Sequence, residues 1–153
     1  MGFLIEAVGH VRGGRAEIKD DNWGPSRAVI ELDPTWFAAD ALAGLGEFSH
    51  AEIVYLFDQV DPGDVEYGDR HPRGRKDLPK VGIFAQRAKN RPNRLGVSVA
   101  KIIGVDGLNL TVEGLDAIDG TPIVDIKPVM GGFLPRGEVK EPAWTAEVMK
   151  DYW

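Results

Sequence analysis

A chain of 153 residues fits one domain and is long enough to bury a core. With 43% apolar and 27% charged residues it is neither disordered nor collagen-like, and its net charge of −6 argues against a dedicated nucleic-acid binder. The absence of cysteine excludes disulfides, thiolate nucleophiles and cysteine-ligated zinc. No apolar run is long enough to span a bilayer as a helix, and the start lacks the basic flank of a signal peptide, so a cytoplasmic location is expected.

In chain order, strand patterns dominate. Alternation predicts a first strand near 3–11, and Ala28-Val29-Ile30-Glu31-Leu32 a second. Asp33-Pro34 reads as an N-cap and first helical position for a helix to about Ala43. Ile53-Val54-Tyr55-Leu56-Phe57 is apolar on both faces, as a buried strand would be. Residues 58–80 form a polar loop longer than usual, a mark of function or mobility. Val81-Gly82-Ile83-Phe84-Ala85 predicts another strand. Strands over 97–105 and 108–113 flank Asp106-Gly107, a two-residue hairpin signal. A last strand follows at 122–129, and Pro142 opens a helix running to about Tyr152. Seven or so strands with two short helices predict an all-β fold, a small antiparallel barrel or sandwich.

The charge is uneven. Residues 70–94 hold nine basic side chains against Asp77 alone, in a chain whose net charge is −6. Such a block marks an anion site, a phosphate contact or a solvated loop. Gly44-Leu45-Gly46 follows a helix pattern and lacks the third glycine of a dinucleotide fingerprint. Ser98, in Gly96-Val97-Ser98-Val99-Ala100, lies in a continuous strand pattern, which reads as structural and not as a nucleophile elbow. Three scattered histidines, and three aspartates (Asp116, Asp119, Asp125) without an EF-hand pattern, give no expectation of a metal.

Two segments remain. Residues 82–96, Gly-Ile-Phe-Ala-Gln-Arg-Ala-Lys-Asn-Arg-Pro-Asn-Arg-Leu-Gly, end a strand and open a bend stiffened by Pro92 and carrying arginines suited to planar carboxylates and phosphates. Residues 114–128 contain Leu115-Asp116-Ala117-Ile118-Asp119-Gly120-Thr121-Pro122, in which Leu115 and Ile118 are expected to plug the barrel end while Asp116 and Asp119 face outward. Asp119-Gly120 reads as a turn, and Asp125 and Lys127 share a strand face. Read alone, the first segment is equally a basic surface loop and the second a set of turn formers and surface charges.

Together, in this order, the two segments resemble the signature of the TsaA-like family, also called YaeB- or TrmO-type. Phe48-Ser49-His50 and the apolar run after it resemble that family's Phe-Ser-His strand, and the similarity spans roughly 3–130. The resemblance implies a small β-barrel of about 7–8 strands, single-domain over 1–153 without the C-terminal domain of longer members. It further implies a homodimer that binds S-adenosylmethionine and methylates N6 of threonylcarbamoyl-adenosine beside a tRNA anticodon. Alternatives are a methyltransferase with another acceptor and a non-catalytic barrel that senses this cofactor or another nucleotide. Arg94-Leu95 stands where the family has Pro-Ile, Asp58 where a histidine is common, and Asn22-Trp23-Gly24-Pro25 in place of the family's Pro-Arg-Gln loop.

Carried onto this chain, the resemblance implies cofactor contacts at Phe57, Asp58, Arg87, Arg91, Asn93, Leu95, Leu115, Asp116, Ala117, Ile118 and Asp119. Arg87 or Arg91 suits the cofactor carboxylate, and Asp116 or Asp119 the ribose hydroxyls or the amine. His50 and Asp125 are candidate general bases, and Arg70, Arg73, Arg75 and Lys76 candidate contacts to tRNA phosphates. The expectation that unites these residues is that the bends at 87–96 and 115–125 meet in space.

Overall fold

A computed structural model describes all residues from Met1 to Trp153. Six antiparallel strands close into a barrel in the order β1 (Gly9–Arg12), β2 (Arg27–Leu32), β7 (Asn109–Glu113), β6 (Leu95–Asp106), β3 (His50–Leu56) and β8 (Pro122–Pro128), which returns to β1. Two further short strands, β4 (Asp69–Arg70) and β5 (Val81–Gly82), pair with each other outside it. Closure leaves no exposed barrel edge. The alternation expected from the sequence sets the faces. Ile30 and Leu32, Ala51, Ile53 and Tyr55, Ala100, Leu110 and Val112, and Ile123 point inward and are buried, while the intervening residues face out. Beside Tyr55, β8 bulges, so that Val54 opposes Asp125 and Tyr55 opposes Ile123. No helix is long and apolar enough to cross a membrane.

Antiparallel closure sorts the connections into two groups. The segments 13–26, 57–94 and 114–121 all leave one end of the barrel, and 33–49 and the β6–β7 hairpin leave the other. That hairpin turns on Gly107-Leu108, one residue later than expected, with Gly107 at φ 58° and Asp106 paired with Asn109.

Four expected elements are shorter than their sequence patterns. The first strand begins only at Gly9, its last flanking bonds being those of Val8 to Ile123 and Asp33, and Phe3, Leu4 and Ile5 before it are left exposed. The helix predicted over 33–43 is a chain of tight turns. Asp33 caps as expected, accepting from the Thr35 amide at 2.8 Å, but later bonds such as Ala41 to Ala38 and Ala43 to Asp40 are of the i→i+3 kind. Only Phe37 and Leu42 reach the core, too little apolar packing to propagate a nucleated turn into a helix. The strand predicted at 81–85 stops at Gly82, since β4 offers two residues to pair with and Phe84 has no buried side to occupy. The C-terminal helix is reduced to α1 (Trp144–Val148). Beyond it the carbonyls of Asp151 and Tyr152 accept from the Asn22 and Trp23 amides, both at 2.8 Å, and this tertiary pairing replaces further helical turns.

Candidate functional site

The arginine bend and the aspartate bend leave the same barrel end. The first is closed by a short helical turn at Pro92–Arg94, with Asn93 and Arg94 both left-handed at φ 62° and 51°. A proline could not adopt the angle seen at Arg94, so the bend is built differently here from the Pro-Ile version it resembles. The Arg94 carbonyl accepts from the Phe57 amide at 2.8 Å and its guanidinium donates to the Val60 carbonyl at 2.7 Å, tying the bend to the end of β3. Arg91 donates to the Gln86 carbonyl at 2.7 Å, and the exposed Arg87 donates to the Val97 carbonyl. Gln86 is itself buried and donates to the carbonyls of Arg70 and Val81, anchoring the start of the bend. Each of the arginines Arg87, Arg91 and Arg94 is thus oriented by a neutral backbone oxygen, and its positive charge is uncompensated by a carboxylate.

Gly96 joins this bend to the barrel wall. A Cβ at position 96 would sit 2.6 Å from the Tyr55 ring and 2.9 Å from Phe57, so only glycine lets the strand pass over the Tyr55–Phe57 edge pair, whose centroids are 5.3 Å apart. Tyr55 crosses the barrel end to donate to Asp116 Oδ1 at 2.8 Å, and Ser98, two residues beyond Gly96, donates to the same oxygen. Tyr55, packed against Gly96, and Ser98 thus link the base of the arginine bend to Asp116 within one protomer.

Asp116 thus turns inward, contrary to the outward orientation expected from the sequence. Leu115 and Ala117 are the buried residues of the bend, and Ile118 is half-buried. The apolar residues on either side of Asp116 pack into the core, and hydroxyl donors satisfy the carboxylate between them. Asp119 does face out and accepts from the Gly13 amide at 2.9 Å, while Gly120, at φ 87°, completes the turn. A third hydroxyl, that of Tyr152, donates to Asp116 Oδ2 from the C-terminal segment. Burial, and then the nearby Asp116 charge, hold both tyrosine hydroxyls well above the ordinary phenol range, so they remain donors.

The remaining candidates divide. Phe57 packs against Tyr55 beside Gly96 and Leu95 pairs with Leu56 at the end of β3, whereas Asp58 and Asn93 are exposed. His50 begins β3 at the opposite barrel end, its Nδ1 2.7 Å from Ser49 Oγ. Asp125 pairs with Val54 on the outer face of the wall and holds Lys127 at 2.6 Å. That contact raises the Lys127 ammonium above its usual pKa. His50 and Asp125 are not brought together. Asp125 lies opposite Val54, four positions along β3 from His50, about 13 Å by strand rise. Among the phosphate candidates, Arg73 is paired with Asp21 at 2.8 Å, and Arg75 with Asp77 and, at 3.1 Å, with Glu147. Arg70 reaches Gln86 at 3.4 Å, and Lys76 is exposed.

Sequence reasoning missed Tyr55, Ser98 and Tyr152 as members of the junction. The signal for the first two was parity. Both fall on inward positions of their strands, where a hydroxyl requires a polar partner. Tyr152 had no local signal.

Residues 19–133 match the tRNA-methyltransferase O N-terminal domain. Over 153 residues the chain is 35% identical to a Pseudomonas aeruginosa protein named as a putative S-adenosylmethionine-dependent methyltransferase, RcsF, covering 95% of this chain and 61% of that one. It is 40% identical over 113 residues to the tRNA (adenine(37)-N6)-methyltransferase of Escherichia coli K12, covering 71% and 46%. The crystal structure of TrmO from Pseudomonas aeruginosa superposes with a TM-score of 0.71 at 28% identity, covering 92% of this chain and 62% of that one. The chain spans about three-fifths or less of the length of these relatives.

Proposed function

Because the chain belongs to the tRNA-methyltransferase O N-terminal domain family, we propose that it is an S-adenosylmethionine-dependent methyltransferase acting on N6 of threonylcarbamoyl-adenosine beside a tRNA anticodon. The observation that carries this reading is the Asp116 carboxylate held by Tyr55 and Ser98 at the barrel end where the arginine bend enters the wall at Gly96, a bend whose arginines pair with no carboxylate. The cofactor supplies a methyl group already activated on a sulfonium. The protein's task is to align donor and acceptor and to exclude water. The donor set fits such a nucleotide. Arg87 and Arg91 suit its carboxylate, the Asp116 carboxylate suits ribose hydroxyls or the amine, the backbone of 115–118 suits the adenine edge, and Leu95 and Phe57 offer apolar surface beside them.

The acceptor nitrogen must lose a proton as the N–C bond forms. Asp125 lies nearer the functional end than His50 and is the better placed of the two candidate bases within a protomer. Arg70, Arg73, Arg75 and Lys76 supply the charge for tRNA phosphates, and the molecule works in the cytoplasm as a homodimer. A subunit contact is supported by the exposed arm after β8, where Phe133, Leu134 and Val139 are 88%, 52% and 65% exposed.

The test is transfer of labelled methyl from S-adenosylmethionine to purified tRNA bearing the threonylcarbamoyl group. Incorporation at that adenine is expected. Cofactor binding with no transfer to any RNA would replace this reading with that of a binding barrel.

A further inference from the structure

We propose that residues 144–153 form a strap that occupies the cofactor aspartate, so that nucleotide binding requires the strap to lift. The inference rests on the reading that Asp116 belongs to the nucleotide site. Of the three hydroxyls on the Asp116 carboxylate, those of Tyr55 and Ser98 come from barrel strands and share Oδ1. The third, from Tyr152, takes Oδ2. A ribose hydroxyl or an ammonium would seek that same acceptor, and the half-buried Tyr152 ring stands in its approach. The tyrosine hydroxyl is a self-supplied stand-in for the ligand's donor.

The strap is anchored at its end by backbone hydrogen bonds, while Trp144, Val148 and Tyr152 are only half-buried. Its carbonyls at Asp151 and Tyr152 accept from the Asn22 and Trp23 amides. Position 24 is glycine, and a Cβ there would lie 2.9 Å from the Trp153 carbonyl carbon, so residues 22–24 form a fitted seat for the strap's end. Farther along, Glu147 pairs with Arg75 at 3.1 Å, with both side chains one-third or more exposed. Ion pairs of that exposure contribute little. Between β8 and α1, every residue from 130 to 143 is exposed, so no packing on that stretch resists movement of the strap as a unit. The seat is itself tied to the basic loop, since Asp21, next to Asn22, pairs with Arg73. A polyanion that drew Arg73 and Arg75 away from Asp21 and Glu147 would loosen both the seat and the strap, linking RNA contact to nucleotide entry.

The experiment follows two quantities on the full chain, using S-adenosylhomocysteine as probe. Hydrogen exchange at the Asn22 and Trp23 amides reports whether the strap is seated. Calorimetric titration of wild type, Tyr152→Phe and Glu147→Gln reports affinity. Protection at both amides is expected to fall when the probe binds. Tyr152→Phe should bind about fivefold more tightly, the ratio that corresponds to losing one competing hydrogen bond. Glu147→Gln, at an exposed position that does not threaten folding, should shift affinity in the same direction by less. Unchanged or increased protection on binding, or unchanged or weaker binding by Tyr152→Phe, overturns the strap while leaving the nucleotide site intact. If neither wild type nor Tyr152→Phe binds the probe, the nucleotide site and the strap fall together.

Discussion

Asp116 is the residue on which the barrel end is organised. Tyr55 is its most buried partner, and its hydroxyl donates to a charged acceptor at 2.8 Å. Removing that hydroxyl in Tyr55→Phe leaves the carboxylate short of a donor and is expected to cost about 1.5–3 kcal/mol of stability in urea unfolding. A loss indistinguishable from zero would mean that water or another hydroxyl replaces it. At the periphery, the Arg73 hydrogen bond holds the Asp21 carboxyl below its usual 3.8. A carboxyl whose folded pKa is depressed contributes stability that is fully present above the unfolded value and is lost as pH falls through the folded one. The Asp21 contribution is therefore intact at neutral pH and fades below roughly pH 4. Asp21→Asn should flatten the acid limb of the stability profile in that window, and identical acid limbs in variant and wild type would contradict the pairing.

At the scale of elements, β6 carries the connection between the two bends, and its narrowest point is Gly96. Gly96→Ala places a methyl against the Tyr55 and Phe57 rings and should destabilise by about 1–3 kcal/mol in the same unfolding experiment. If the alanine variant keeps wild-type stability, the close passage over Tyr55 is not a constraint. Strands such as β2, β6 and β7 were legible in the sequence because a closed barrel enforces two-residue alternation, and the wall positions they predict are those that are buried. The two helices were not, because local capping signals at Asp33 and Pro142 do not reveal whether an apolar stripe will find a partner. The basic and acidic bends could be located by their residue types. The inward turn of Asp116 could not, since side-chain direction in a bend follows no periodicity, and its donors lie 61, 18 and 36 residues away.

Over the whole molecule, antiparallel closure gathers the arginine bend, the aspartate bend and the basic loop at one barrel end, and the C-terminal segment runs back to that end to pair with residues 22 and 23, while the overall charge remains −6. A local basic patch that neutralises several RNA phosphates should give an affinity that drops steeply as salt rises. A flat salt response would place any RNA contact elsewhere. If this barrel end holds S-adenosylmethionine, as proposed, residues of both bends must contribute to its affinity. The most direct measurement is a calorimetric titration of that cofactor against wild type, Arg87→Ala and Asp116→Ala. Measurable binding by wild type and a clear loss of affinity in both variants is expected, whereas unchanged affinity in both would contradict the assignment of this barrel end.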